Sequence, residues 1–297
     1  MATEEVRVAV RDLTKKFGTQ TVLSGVSLDV RAGETVVIMG GSGCGKTTLL
    51  RLMIGSHDAT SGTISLLGQD ISQLDGDGFD ALKKQFGILF QSGALFQSMS
   101  IAENVALPLQ EHTDLAPEVI EMIVKMKLEL VGLRPHAHKL PSQISGGMMK
   151  RAGLARAMAM DPKILFYDEP SAGLDPVTSA EIDQLILELT KNFGVTSVVV
   201  THEMDSAFTI ADRMVMLDGG RVLKIGARDE FDRIRKLSAS EANLLSEDEQ
   251  IVYQFLRGAA DGPITRRRSA DDYREDLLGM DASGNPIEGA GSTHGRM

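Results

Sequence analysis

The chain has 297 residues, 42% of them hydrophobic, with 31 Lys and Arg against 41 Asp and Glu for a net charge of −10, and one cysteine. That length buries a sizeable core; the acidic balance argues against a broad nucleic-acid-binding surface, and a lone cysteine excludes an internal disulfide and fits a reducing cytosol. No stretch approaches the ~20 apolar residues of a membrane-spanning helix, and residues 1–5 lack a signal peptide's apolar core, so membrane contact is expected only through partners.

Residues 6–12 alternate apolar and polar, the pattern of a half-buried strand. Phe17 follows at the turn Lys16-Phe17-Gly18, and strands are predicted over 26–30 and 35–39. Residues 40–47, Gly-Gly-Ser-Gly-Cys-Gly-Lys-Thr, satisfy G-x-x-x-x-G-K-[ST], with a helix predicted over 48–53. A strand over 62–68, a short helix from 79 and a strand over 86–90 ending at Gln91 come next. The pattern then turns helical, and 92–161 reads as a helical insertion that includes an apolar helical spacing over 115–131. The apolar strand 163–169 ends on Asp168 and Glu169, followed by helix 177–193, strand 196–201, helix 203–211 and strands 213–217 and 221–225. This alternation predicts an α/β fold on a mostly parallel sheet. The expected organisation is a domain over 1–240, a C-terminal helix over 241–257 and an extended tail over 258–297, where Gly, Asp, Ser and Pro dominate.

The chemistry starts at the glycine-rich loop. Glycines let the backbone turn successive N–H groups toward phosphate oxygens. Gly40, Gly41, Ser42, Gly43, Cys44, Gly45, Lys46, Thr47 and Thr48 are the expected nucleotide contacts, with Lys46 as a point charge and Thr47 suited to Mg²⁺. The predicted helix aims its positive end at the phosphates. Asp168 can hold Mg²⁺ opposite Thr47, and Glu169 is free to polarise water as a general base. Cys44 is compatible with either a small filler or a redox-sensitive brake.

Residues 144–151, Ile-Ser-Gly-Gly-Met-Met-Lys-Arg, open a helix shortly before the Asp-Glu strand. That arrangement resembles the signature of the ABC-type ATPases. Gln91 matches the family's glutamine that links nucleotide and metal to the transporter; Ser171-Ala172-Gly173-Leu174-Asp175 resembles its D-loop; His202 resembles its switch histidine; and Phe17 stands where it places an aromatic under adenine. The resemblance implies a P-loop NTPase with a mostly parallel core sheet, an antiparallel β subdomain and a helical subdomain. It implies two copies sandwiching ATP and Mg²⁺, with Lys46 on phosphate, Thr47, Gln91 and Asp168 on the metal, Glu169 as base and His202 as sensor. Ser145, Gly146, Gly147 and Asp175 would then act on the second copy's nucleotide, and a transmembrane permease would be driven. Met148 departs from the family's usual Gln, which puts a contact to the nucleotide's sugar in doubt.

Phe-Gln-Ser-Gly-Ala-Leu-Phe at 90–96, Glu103-Asn104-Val105-Ala106, Glu111-His112-Thr113, Met148 and the tail at 258–263 are similar to the ATPases of Mla phospholipid transport systems. That likeness implies the cytoplasmic face of a Gram-negative inner membrane, a two-copy permease, membrane-anchored lipid-binding (MCE-type) subunits and a STAS-domain partner. The alternatives are an ATPase of another ABC importer, for amino acids or metals, and a non-transport ABC ATPase. Ile251, Val252, Phe255 and Leu256 share one helical face. Tyr273, Leu277 and Leu278 are spaced anchors, expected to reach a groove on the second copy. Arg266, Arg267 and Arg268 suit either lipid headgroups or solvent.

Overall fold

In the computed structural model, which describes residues 5–266, the strands are β1 (Val6–Phe17), β2 (Gln20–Arg31), β3 (Thr35–Gly40), β4 (Ser61–Leu66), β5 (Gln69–Asp70), β6 (Phe86–Leu89), β7 (Ile164–Asp168), β8 (Thr196–Val200), β9 (Arg213–Asp218) and β10 (Arg221–Ala227). The helices are α1 (Lys46–Met53), α2 (Gly76–Lys83), α3 (Ile101–His112), α4 (Pro117–Leu130), α5 (Gly146–Ala157), α6 (Pro176–Phe193), α7 (Met204–Ile210), α8 (Arg228–Lys236), α9 (Ala239–Ala242), α10 (Glu247–Arg257) and α11 (Pro263–Arg266). Two units are distinct, with their boundary between Asp232 and Arg233 where the sequence reading places it at 240.

Within the first unit, β2-β1-β4-β5 form an antiparallel sheet. Strand β1 runs beyond residue 12, where its alternation breaks. Val10 faces Leu28 but Leu13 faces Val26, so β1 carries one extra residue. Asp12 absorbs it at φ 46°, and this bulge brings Leu13 rather than Asp12 back to the core face. Phe17 therefore ends a strand instead of sitting in a turn.

The second sheet has six strands in the order β10-β9-β3-β8-β7-β6, parallel except for the β9–β10 pair. Every residue of β3 and β8 is buried, as expected of central parallel strands covered on both faces. Ile38, Phe166, Val198 and Leu217 of this sheet share one core with Leu49 and Leu52 of α1 and with Leu13 and Leu23 of the antiparallel sheet. The β3–α1 junction is thereby clamped from both sheets.

A separate core holds the helical subdomain. Ile101, Val105 and Leu109 of α3 and Ile120, Val124 and Leu128 of α4 recur at i, i+4 and meet Ala152 and Ala155 of α5. Ser100 and Glu103 close a capping box that starts α3.

In the second unit, α10 starts at the Ser246 cap and stops at Gly258, φ 60°, with Ile251, Val252 and Leu256 buried and Phe255 half-buried. The extended reading from 258 needs correction for residues 258–266. Gln254, itself buried, accepts from the Ile264 N–H (2.7 Å) and donates to the Ala259 carbonyl (3.1 Å), turning the chain back into α11. Composition gave no sign of this because one amide side chain supplies the turn's missing partners. Tyr273, Leu277, Leu278, Arg267 and Arg268 lie outside the described residues. Among the described residues no helix is long and apolar enough to cross a membrane.

Candidate active site

Strand β3 delivers the chain to the glycine-rich loop and α1 carries it away. Two of its glycines are required by space as well as by torsion. Gly40 has φ 152°, and a Cβ there would lie 2.2 Å from the Leu217 carbonyl oxygen. Gly45, the α1 N-cap at φ 107°, would set a Cβ 2.6 Å from Leu23 Cδ2. The loop therefore presents bare backbone around a cavity of about 140 Å³ lined by Val22, Gly43, Gly45, Lys46, Thr47 and Thr48. A phosphate fits such a cradle, since free N–H groups of a helix start and one ammonium converge there. Lys46 Nζ donates to the carbonyls of Gly40 (2.8 Å) and Gly41 (3.0 Å), which folds the ammonium back along the loop. Gly45→Ala should destabilise the protein by about 1–3 kcal/mol through strain and overpacking and weaken nucleotide binding; urea unfolding and a binding titration check it.

Cys44 is 6% exposed and belongs to the core. Burial pushes its thiol up, against the pull of Lys46, so the reactive thiolate is disfavoured. The redox reading falls, and Cys44 can offer the loop only its backbone.

Asp168 ends β7 and its carboxyl is raised, first by burial and then by the charge of Glu169, while Arg51 and Lys46 pull it back. A carboxylate held this way favours a nearby divalent cation; with the Thr47 hydroxyl on the α1 side, the donor set suits Mg²⁺. Gln91 is exposed in the turn after β6.

Glu169 has φ 50°, an uncommon conformation for a residue with a Cβ. Its N–H donates to the Val200 carbonyl (2.8 Å), its Oε1 pairs with His202 Nδ1 (2.8 Å), and its Oε2 accepts from the His202 N–H (3.3 Å). Its side chain is 11% exposed and that of His202 56%, so the pair sits at the mouth of the sheet's carboxyl edge. A carboxylate fixed on one oxygen by imidazole can take a proton from water.

Ser145 caps α5, accepting from the Met148 N–H at 3.3 Å. Gly147 has no room for a side chain, because a Cβ would lie 2.3 Å from Thr178 Cγ2. Asp175, expected at the nucleotide, directs its carboxylate to its own helix: it accepts from the N–H groups of Val177 and Thr178 (3.1 Å each) and from Thr178 Oγ1 (2.6 Å). Those bonds to Thr178 hold its carboxyl below the ordinary value. Met148 packs against the helical core, which gives the departure from Gln a structural reason. Phe17 is 45% exposed, edge-on to His57 (5.8 Å between centroids) with Lys15 Nζ 4.8 Å from its ring centre, so it is a rim residue and not core.

Sequence reasoning assigned no individual role to three residues. Arg156 of α5 donates to the carbonyls of Gly93 (3.1 Å) and Ala94 (2.8 Å). Asn104 is fully buried and bonds Phe96 N–H and the carbonyls of Phe96, Met99 and Ser100. Arg156 fastens the segment after Gln91 to the signature helix, and Asn104 fastens it to α3. Lys150 reaches from α5 to the Glu169 carbonyl at 3.0 Å. For Lys150 and Arg156 the signal was their recurrence with Gly153 at every third residue of α5; Asn104, on α3, offered none beyond its place in the stretch 103–106.

The fold and these motifs define an ATP-binding cassette. Residues 23–172 match the ABC transporter family, and the dimeric post-hydrolysis state of the ATP-binding cassette MJ0796, bound to ADP and Pi, has a TM-score of 0.69 and 31% identity over 74% of this chain and 98% of that one. The chain belongs to the ABC transporter family and is an ABC-type ATPase. Among individual proteins, it is 41% identical to the intermembrane phospholipid transport system ATP-binding protein MlaF of Haemophilus influenzae, over 91% of this chain and 98% of that protein. It is also 41% identical to the probable ribonucleotide transport ATP-binding protein mkl of Mycobacterium leprae, over 90% of this chain and 73% of that protein.

Proposed function

We propose that this chain hydrolyses ATP as the nucleotide-binding subunit of an ABC transporter that moves phospholipid between the inner and outer membranes. One observation carries the cargo: the identity to MlaF spans nearly the whole of both proteins, 91% of this chain and 98% of that one. Lys46 and the N–H groups of residues 41–48 hold the β- and γ-phosphates, and Phe17 stacks on the adenine. Thr47, Asp168 and Gln91 would hold Mg²⁺, which would neutralise phosphate charge when bound. Glu169 removes a proton from water, and His202 keeps its carboxylate aimed. Ser145, Gly146 and Gly147 face the nucleotide of a second copy, which the dimeric state of the similar cassette supports.

A permease in the inner membrane, with this subunit on its cytoplasmic face, receives the closing motion. A STAS-domain partner and membrane-anchored MCE-type subunits complete the assembly by likeness to the Mla systems. Purifying the tagged protein from native membranes tests the reading. Co-purified permease and phospholipid are the expected result. Recovery with ribonucleotide, amino-acid or metal transport subunits, or with nucleic acid, would overturn the cargo assignment and leave the ATPase standing.

A further inference from the structure

Lys150 is 5% exposed, yet among the described residues no carboxylate forms an ion pair with it. Both of its described hydrogen bonds leave the helical core: Nζ donates to the main-chain carbonyls of Glu169 (3.0 Å) and Ala172 (2.8 Å). Burial makes its charge harder to keep, opposed by the charges of Glu169 and Glu203. A methionine would fill similar volume without that penalty, so packing alone does not account for a lysine here.

The acceptors are informative. At φ 50°, Glu169 turns its carbonyl away from the β-sheet ladder. Val200 holds its N–H and His202 its carboxylate, and Lys150 shares its carbonyl with the Ala172 N–H (3.3 Å). Ala172 lies in the turn that leads to the Asp175 cap. Gly147, on the same helix as Lys150, packs against Thr178, which Asp175 in turn holds. Helix α5, residues 169–172 and the start of α6 therefore close into one ring of contacts. The ring contains both Ser145–Gly147 and the carboxylate of Glu169.

We propose that Lys150 is a positioning residue that ties the signature helix to the backbone of Glu169 and so holds this copy's own carboxylate in its working position. The inference rests on Glu169 being the general base.

The test uses the full chain. Lys150→Met should lower kcat for ATP about 10-fold or more, the scale of a slightly misplaced catalytic group, with KM within about threefold. Lys150→Arg, which keeps a cationic donor, should recover most of the loss. Location within the dimer separates positioning from general damage. In dimers that pair a Ser145→Arg chain with a Lys46→Ala chain, one composite site survives, with Glu169 from the first chain and the signature from the second. Lys150→Met in the first chain should abolish most of that activity, whereas in the second it should change it less than about threefold. An equal loss in either chain, a failure of Arg to rescue, or a kcat within twofold of wild type would overturn the inference. If Glu169→Gln itself turns over normally, the base assignment falls instead, whatever Lys150 does.

Discussion

Glu169→Gln should bind ATP as the parent does and hydrolyse it about 10²–10⁴-fold more slowly, the range for removing a positioned general base. The substitution is nearly isosteric. The N–H bond to Val200, the carbonyl bond from Lys150 and one side-chain bond to His202 all remain possible, so the left-handed turn at φ 50° should persist. What disappears is the acceptor of the water's proton. With hydrolysis blocked and binding intact, the nucleotide-bound dimer should accumulate, visible as a shift in size-exclusion chromatography on adding ATP and Mg²⁺. Turnover near that of the parent would remove Glu169 from the role.

The second large effect concerns which copy supplies the signature. Ser145→Arg places a long cationic side chain at an exposed helix cap and should abolish hydrolysis in the homodimer by obstructing the facing nucleotide. Lys46→Ala should abolish it by removing the ammonium that lies against Gly40 and Gly41. Mixing the two dead proteins and allowing exchange should restore activity. On random pairing roughly half of the dimers are mixed, and each of these has one site with an intact phosphate loop and an intact signature. If the signature served the nucleotide of its own chain, every site in the mixture would carry one lesion. A mixture as inactive as its parents would therefore reject the shared-site arrangement.

The motifs with fixed spacing were legible from residue types alone. The loop at 40–47, Asp168 and Glu169 at a strand end, and Ser145-Gly146-Gly147 at a helix start stand on β3–α1, β7 and α5 as expected. The mostly parallel sheet followed from apolar runs separated by helices, while the order β3, β8, β7, β6 came from the structure. Elsewhere local pattern misled. Strand β1 continues past residue 12 because a bulge restores its phase, and a bulge interrupts the alternation by which strands are recognised. Residues 258–266 fold back because Gln254 is buried, while a lone Gln in a sequence reads as surface.

By itself, the sequence determined the class of chemistry, because wrapping phosphate in backbone N–H groups demands glycines at set intervals, a lysine and a hydroxyl, and few other residue patterns meet that demand. The tertiary structure decided where the long polar side chains go. Lys150 meets Glu169 and Ala172, Arg156 meets Gly93 and Ala94, and Asn104 meets Phe96, Met99 and Ser100. It also turned Asp175 toward Thr178 and Cys44 into the core. A flexible side chain can satisfy its donors and acceptors with many backbone groups. Which of these it finds depends on the element packed against it, and that choice is made by burial in the two cores rather than by any local run of residues.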